Sequence, residues 1–201
     1  MRFLLLLILL LPGGSSAPAQ AQPDVHRYSI DLAGARIGTM TVSREALPNG
    51  QVRYTQTSDV RVNFLVYKLT VYYHVISLFQ HGKLLLATVD AHTNRGTYDS
   101  RTEWVGNQYV ISAHQYGHDR TATEPRPIDF TVAMLYFSEP IGRQRIYAEY
   151  FGDYFQLTPT PRPGYRAKLA DREDEYYYER GKLVRVIKKN SVKNFNIKLL
   201  E

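Results

Sequence analysis

The feature that most constrains this chain is an alternation of apolar and polar residues with a period of two, renewed in short segments along nearly its whole length. Tyr28, Ile30 and Leu32 alternate with Ser29, Asp31 and Ala33, and Ile37, Thr39 and Thr41 oppose Gly38, Met40 and Val42. Successive side chains of a strand point to opposite faces, so this rhythm describes half-buried β-strands. The 16 Tyr and 8 Phe, with many Val, Ile and Thr, are residues that pack well on a pleated surface. Pro48-Asn49-Gly50 and Gly106-Asn107 mark hairpin turns, because Asn and Gly reach positive φ at little cost.

Between these turns the strands follow closely: Gln51 to about Val62, Tyr67 to Phe79, Leu84 to Asn94, Thr97 to Val105 and Gln108 to Gln115. Tyr67 to Phe79 carries large residues at both parities, Leu69, Val71, Tyr73 and Val75 against Tyr72, Ile76 and Leu78, which predicts a strand covered on both faces. Tyr116 to Glu124 is polar and reads as a loop or an edge strand. The rhythm then breaks. Asp129 is an N-cap candidate ahead of Phe130-Thr131-Val132-Ala133-Met134-Leu135-Tyr136-Phe137, and Ser138-Glu139-Pro140 stops the element. An apolar helix of two turns is the expectation there, buried as a plug against the sheet; β-branched Thr131 and Val132 keep a further strand as the alternative. Strands resume at Arg145 to Phe151, Tyr154 to Thr158, Tyr165 to Leu169, Glu175 to Glu179, Leu183 to Lys188 and Phe195 to Leu200. The expected fold is mainly β: a single curved antiparallel sheet or half-open β-barrel, with one short helix packed in its concavity.

The first residues predict export. Met1-Arg2 precedes the apolar run Phe3–Leu11, and Ala19-Gln20-Ala21 is the small-x-small pattern of a cleavage site, so 1–21 reads as a signal peptide and 22–201 as one β domain. The run is shorter than the roughly twenty residues a spanning helix needs, so the mature chain is expected to be soluble in the periplasm or outside the cell, without a transmembrane segment. With Cys 0 there is no disulfide, no thiol chemistry and no lipidated cysteine. The net charge of +6 comes from cations spaced singly along the strands rather than clustered on one face, which argues against nucleic-acid binding. Weak attraction to anionic envelope polymers is compatible with that charge.

No catalytic or metal signature stands out, and no cofactor is expected. His114 and His118 flank Gly117 in a strand-and-loop stretch, where i, i+4 spacing does not converge on a metal as it would on a helix. Asp171, Glu173, Asp174 and Glu175 lack the residue order of a calcium loop, and no Gly-x-Ser-x-Gly elbow occurs. The aromatic set is more suggestive. Tyr73, Trp104, Tyr109, Met134 and Phe137 are candidates to line a cavity for an apolar ligand, although packing of sheet against helix is the commoner use of such residues. Tyr176-Tyr177-Tyr178 puts aromatics on both faces of one strand and could offer a contact patch.

Three stretches carry a resemblance: Tyr28-Ser29-Ile30 leading into Ile37-Gly38-Thr39-Met40-Thr41-Val42, then Pro127-Ile128-Asp129-Phe130 with Met134-Leu135-Tyr136, and finally Lys182-Leu183-Val184-Arg185-Val186. In these the chain resembles uncharacterised exported β-rich proteins, domains of unknown function found mainly in Bacteroidetes. The resemblance implies an open, curved antiparallel sheet around a helix, distantly like the half-barrels that carry lipoproteins or lipids across the periplasm. It carries over no functional residue. The leading expectation is a non-enzymatic binding or carrier module for a hydrophobic, lipid-like ligand. An envelope protein acting through an aromatic surface or a sheet edge on other envelope proteins is the second expectation, and a hydrolase with an unrecognised His/carboxylate site the third.

Overall fold

A computed structural model of the chain describes residues 22–64, 67–94, 96–115, 117–189 and 194–200. The segment read as a signal peptide lies outside them. The alternating segments become β1 (Asp24–Leu32), β2 (Ala35–Ala46), β3 (Gln51–Phe64), β4 (Tyr67–Gln80), β5 (Lys83–Thr93), β6 (Gly96–Val105), β7 (Gln108–Gln115) and β8 (His118–Glu124). After an irregular stretch come β9 (Arg145–Ala148), β10 (Asp153–Pro159), β11 (Gly164–Leu169), β12 (Arg172–Glu179), β13 (Lys182–Lys188) and β14 (Phe195–Leu200).

Among the described residues these form one 14-stranded antiparallel sheet, running β8 to β1 and then β14 back to β9. The two runs join where β1 pairs with β14, Tyr28 opposite Leu199 and Ile30 opposite Ile197. The polar stretch after Gln115 is therefore a strand, and it is one of the sheet's edges. Neighbouring strands twist relative to one another, so a sheet this wide curls. Here it curls until it overlaps itself. The β9–β10 hairpin lies inside the curve, against the inner face of β4–β8, and β8 and β9 share no ladder among the described residues.

Small hydroxyl residues at inward positions make room for that overlap. Ser77 Oγ donates to Glu149 Oε1 at 3.0 Å, Ser100 Oγ to the Glu149 carbonyl at 2.6 Å, and the Thr102 and Tyr147 hydroxyls bond at 2.6 Å. Arg120 Nε donates to the Gly152 carbonyl at 3.0 Å, and Arg120 pairs with Asp153 at 3.2 Å. Gly152 has φ +62, and a Cβ there would come within 2.7 Å of Ile111 Cγ2, so the hairpin can press onto β7 only with glycine at its turn.

The expected apolar α-helix is not there. Val132–Tyr136 is a five-residue 3-10 turn, and no α-helix occurs among the described residues. Two physical reasons stand out. Thr131, proposed within the helix, has extended φ/ψ and forms a parallel bridge to Tyr147, and Asp129, the proposed cap, instead pairs with Arg143 at 2.9 Å. The tighter turn is buried in the curve of the sheet, with Ala133, Leu135 and Tyr136 buried. Tyr178 Oη donates to the Leu135 carbonyl at 2.9 Å.

The expectation that β4 is covered on both faces also needs correction. Val75, Ser77 and Phe79 are buried, but Tyr72 on the opposite face is 41% exposed. On that outer face Tyr72 stacks on His74 and His92, and Thr57 Oγ1 lies 3.0 Å from His74 Nδ1.

Candidate functional site

The inward side chains pack into two buried clusters, one filling its end of the curled sheet and the other, around Tyr28, Met40, Leu135, Phe155 and Tyr176, bordering a partly open cavity. At the filled end Tyr54, Phe79, Leu84, Tyr109, Ile111, Ile128, Ala133 and Tyr147 form a continuous buried cluster. Tyr109 Oη donates to the Leu84 carbonyl at 2.8 Å and accepts from the Ile128 amide at 3.2 Å. Toward the end where β3 turns into β4 lies a cavity of about 360 Å³.

Strand register orders the walls of this cavity by depth. Val60 faces Val71, and two residues further from the β3–β4 turn Ser58 faces Tyr73, with Gln56 and Val75 beyond them. Val60 and Val71, with Ile30, Phe195 and Ile197, make an apolar collar; Gln56, Ser58, Tyr73, Tyr136 and Glu149 make a polar floor. The rim is ionic. Lys188 Nζ pairs with Asp174 at 2.8 Å, and Lys189 pairs with Glu173 and, at 3.0 Å, with Glu175. Arg172 lies over the Phe151 ring, 5.0 Å from its centroid, and has no carboxylate partner among the described residues. Glu173, Asp174 and Glu175 of the acidic cluster noted in the sequence are thus paired with Lys188, Lys189 and Arg166, whose Nε is 3.1 Å from Glu173.

Glu149 is the unusual group. It is 3% exposed, and its carboxylate accepts from the Val132 amide at 3.1 Å, the Ala133 amide at 3.1 Å and Ser77 Oγ. It therefore takes up the free N–H groups that begin the 3-10 turn and holds that turn against β4. Loss of water around it raises its pKa above the usual carboxylate range, against the opposing pull of these donors. Burial likewise pushes the Tyr73 and Tyr136 hydroxyls well above their ordinary value, so both remain protonated donors.

Of the residues singled out from sequence, Tyr73 lines this cavity. Trp104 and Tyr109 pack edge-to-face at the filled end, their centroids 4.8 Å apart, with Lys83 Nζ 3.5 Å above the Trp104 ring. Met134 and Phe137 lie half-buried between the two clusters, Phe137 stacked on His26 at 4.9 Å. His114 and His118 do not converge, because His118 faces Gln115 across the β7–β8 hairpin while His114 faces Asp119. Gln56, Ser58, Arg172 and Glu149 were not anticipated. For Glu149 a signal existed: a lone acid within Ile146-Tyr147-Ala148-Glu149-Tyr150-Phe151 must either be exposed or be satisfied inside.

A second, polar cleft of about 430 Å³ opens where the overlap gapes, between β8 and the β9–β11 strands. Arg120, Arg126, Arg145 and Lys168 line it with Glu124 and Asp153. Arg126 pairs with Glu124 at 2.7 Å, and Arg145 stacks over Tyr154 at 4.4 Å.

Among solved structures, the fold is similar to the crystal structure of a beta-barrel-like protein of domain of unknown function DUF1849 from Brucella abortus. The TM-score is 0.54 at 9% sequence identity, over 89% of this chain and 96% of that one. That likeness concerns the fold alone. No functionally curated protein matches the sequence. A family match does, and it spans residues 28–200, from the first inward tyrosine to the end of β14: the chain belongs to the family of the domain of unknown function DUF6134.

Proposed function

We propose that this chain is an exported, non-enzymatic binding module of the bacterial envelope that holds a lipid-like ligand in the cavity between β2–β4 and β12–β14. The observation that carries the reading is the cavity of about 360 Å³ with an apolar collar and an ionic rim. Small-molecule sites are concave, mostly apolar and fitted with a few placed polar groups, at volumes of roughly 300–1,000 Å³. A curled antiparallel sheet that overlaps rather than closes can widen along its overlap without breaking a ladder, which suits a carrier that must admit and release a chain. The apolar run before Ala19-Gln20-Ala21 supports export.

The test is native mass spectrometry of the chain purified from its own envelope, followed by solvent extraction. The expected result is a reproducible extra mass that moves into the organic phase. A protein found wholly free of bound mass, and unable to take up amphiphiles added to it, would sink the carrier reading. It would turn attention to the exposed Tyr72–His74–His92 stack as a contact surface.

A further inference from the structure

The floor of the cavity holds hydroxyls that the protein does not use. Tyr136 is 1% exposed and Ser58 7%, and both line the cavity beside Tyr73. None of these three hydroxyls hydrogen-bonds to any described residue. Among the described residues Gln56 Nε2 donates only to the Met40 sulfur, 3.1 Å away. Elsewhere inside the sheet Ser77, Ser100, Thr102, Tyr109 and Tyr178 each have a partner. The buried Gln115 amide, Thr131 Oγ1 and Tyr154 Oη lack one among the described residues, but they are scattered and do not line this cavity. Buried polar groups are costly to leave unpaired. Several of them converging on one cavity floor are the kind of surface a ligand's own polar group completes.

Charge narrows what that group is. The cations that line the cavity, Arg172, Lys188 and Lys189, all belong to the rim, and the two lysines are already paired. The floor offers neutral hydroxyls and an amide beside the Glu149 carboxyl. A carboxylate or phosphate carried down to it would meet no cation and would face an acid. Resting on the reading of this cavity as a ligand site, we propose that the ligand carries an uncharged, hydroxyl-bearing group that hydrogen-bonds Ser58, Tyr73 and Tyr136 at the floor, while its hydrocarbon occupies the collar. The polar end enters first, and the ionic rim closes over the chain.

Three probes of equal chain length test this by isothermal titration calorimetry: monolauroylglycerol, methyl laurate and lauric acid. The hydroxylated probe should bind roughly tenfold more tightly than the ester, the effect of about one to two net hydrogen bonds, and more tightly than the acid. The Y73F/Y136F double variant should bring monolauroylglycerol to within about twofold of the ester. Ser58→Ala, which removes no ring, should give a smaller loss in the same direction. Unchanged thermal unfolding of the variants shows that packing is kept. Equal binding of all three probes by the native chain, or an advantage that survives in the double variant, overturns the inference while leaving the cavity reading intact. Failure of all three probes to bind overturns the cavity reading and this inference together.

Discussion

The two ends of the curled sheet follow the same alternation and come to different results. At the filled end, inward polar residues meet an inserted piece of chain. Thr102 meets Tyr147, Ser77 and Ser100 meet Glu149, and Tyr109 bridges Leu84 and Ile128. At the open end, inward polar residues of the same kinds, Ser58, Tyr73 and Tyr136, meet a cavity. Chemistry at a single position does not separate a structural hydroxyl from one left for a ligand. What separates them is whether the return of the chain reaches that level of the sheet. The 3-10 turn at Val132–Tyr136 and the β9–β10 hairpin stop short, and the cavity is what they leave.

The sharpest way to break the comparison is to cut the filled end. Tyr109→Ala removes a fully buried ring and both of its hydrogen bonds, and should cost roughly 3–5 kcal/mol of stability in urea unfolding. A cost near that of an exposed tyrosine would mean the filled end is not the stabilising core. Next in size is Glu149→Ala, which leaves the Val132 and Ala133 amides and Ser77 without their acceptor, at a cost of about 3 kcal/mol. Glu149 also gives a signed pH effect. Its pKa is raised on folding, so the native state holds the proton more tightly than the unfolded chain. That contribution is fully present below the ordinary carboxylate range and is lost as pH rises through it toward the raised folded value. Glu149→Gln should flatten this decline in a pH series of unfolding midpoints; a decline that persists would assign it to another group.

A matched pair of substitutions sharpens the contrast with a smaller effect. Ala87→Leu adds volume where packing is complete and should destabilise by about 1–3 kcal/mol. Val71→Leu adds volume at the collar, where space exists, and should change stability by less than about 0.5 kcal/mol. It should nonetheless lower amphiphile capture in the native mass spectrum. Equal destabilisation at both sites would show that the open end is as tightly packed as the filled one.

The contrast also explains how far the sequence could be read. Strand positions and hairpins are local facts: Pro48-Asn49-Gly50 and Gly106-Asn107 turn where their φ preferences demand, and Asn49 and Gly106 do have positive φ. The run Phe130 to Phe137 misled because an apolar stretch has no period of its own. Its conformation was decided by partners distant in sequence, Tyr147 and Glu149. The cavity was legible at Tyr73 and not at Ser58, Gln56 or Glu149, since depth within a curled sheet depends on register across several strands and on where the chain returns. Trp104 and Tyr109, equally aromatic, fell at the other end by the same logic.

A modest effect concerns the rim and runs opposite in pH to Glu149. Glu175 accepts from Tyr177 Oη at 2.7 Å and pairs with Lys189 at 3.0 Å. The tyrosine hydroxyl first, and then Lys189, hold its carboxyl below the usual range, despite partial burial. A carboxyl lowered on folding stabilises above the ordinary carboxylate range and loses that contribution as pH falls through its folded value. Tyr177→Phe should therefore cost roughly 0.5–1 kcal/mol near neutrality and progressively less under acid, where the native advantage has already gone. Because the bond joins neighbours two apart on one strand, outside the cavity, amphiphile binding should not change. A Tyr177→Phe chain that lost ligand as well as acid sensitivity would show that the β12–β13 rim helps hold the cavity in shape. The boundary between the two regions would then lie further up the sheet than the packing alone indicates.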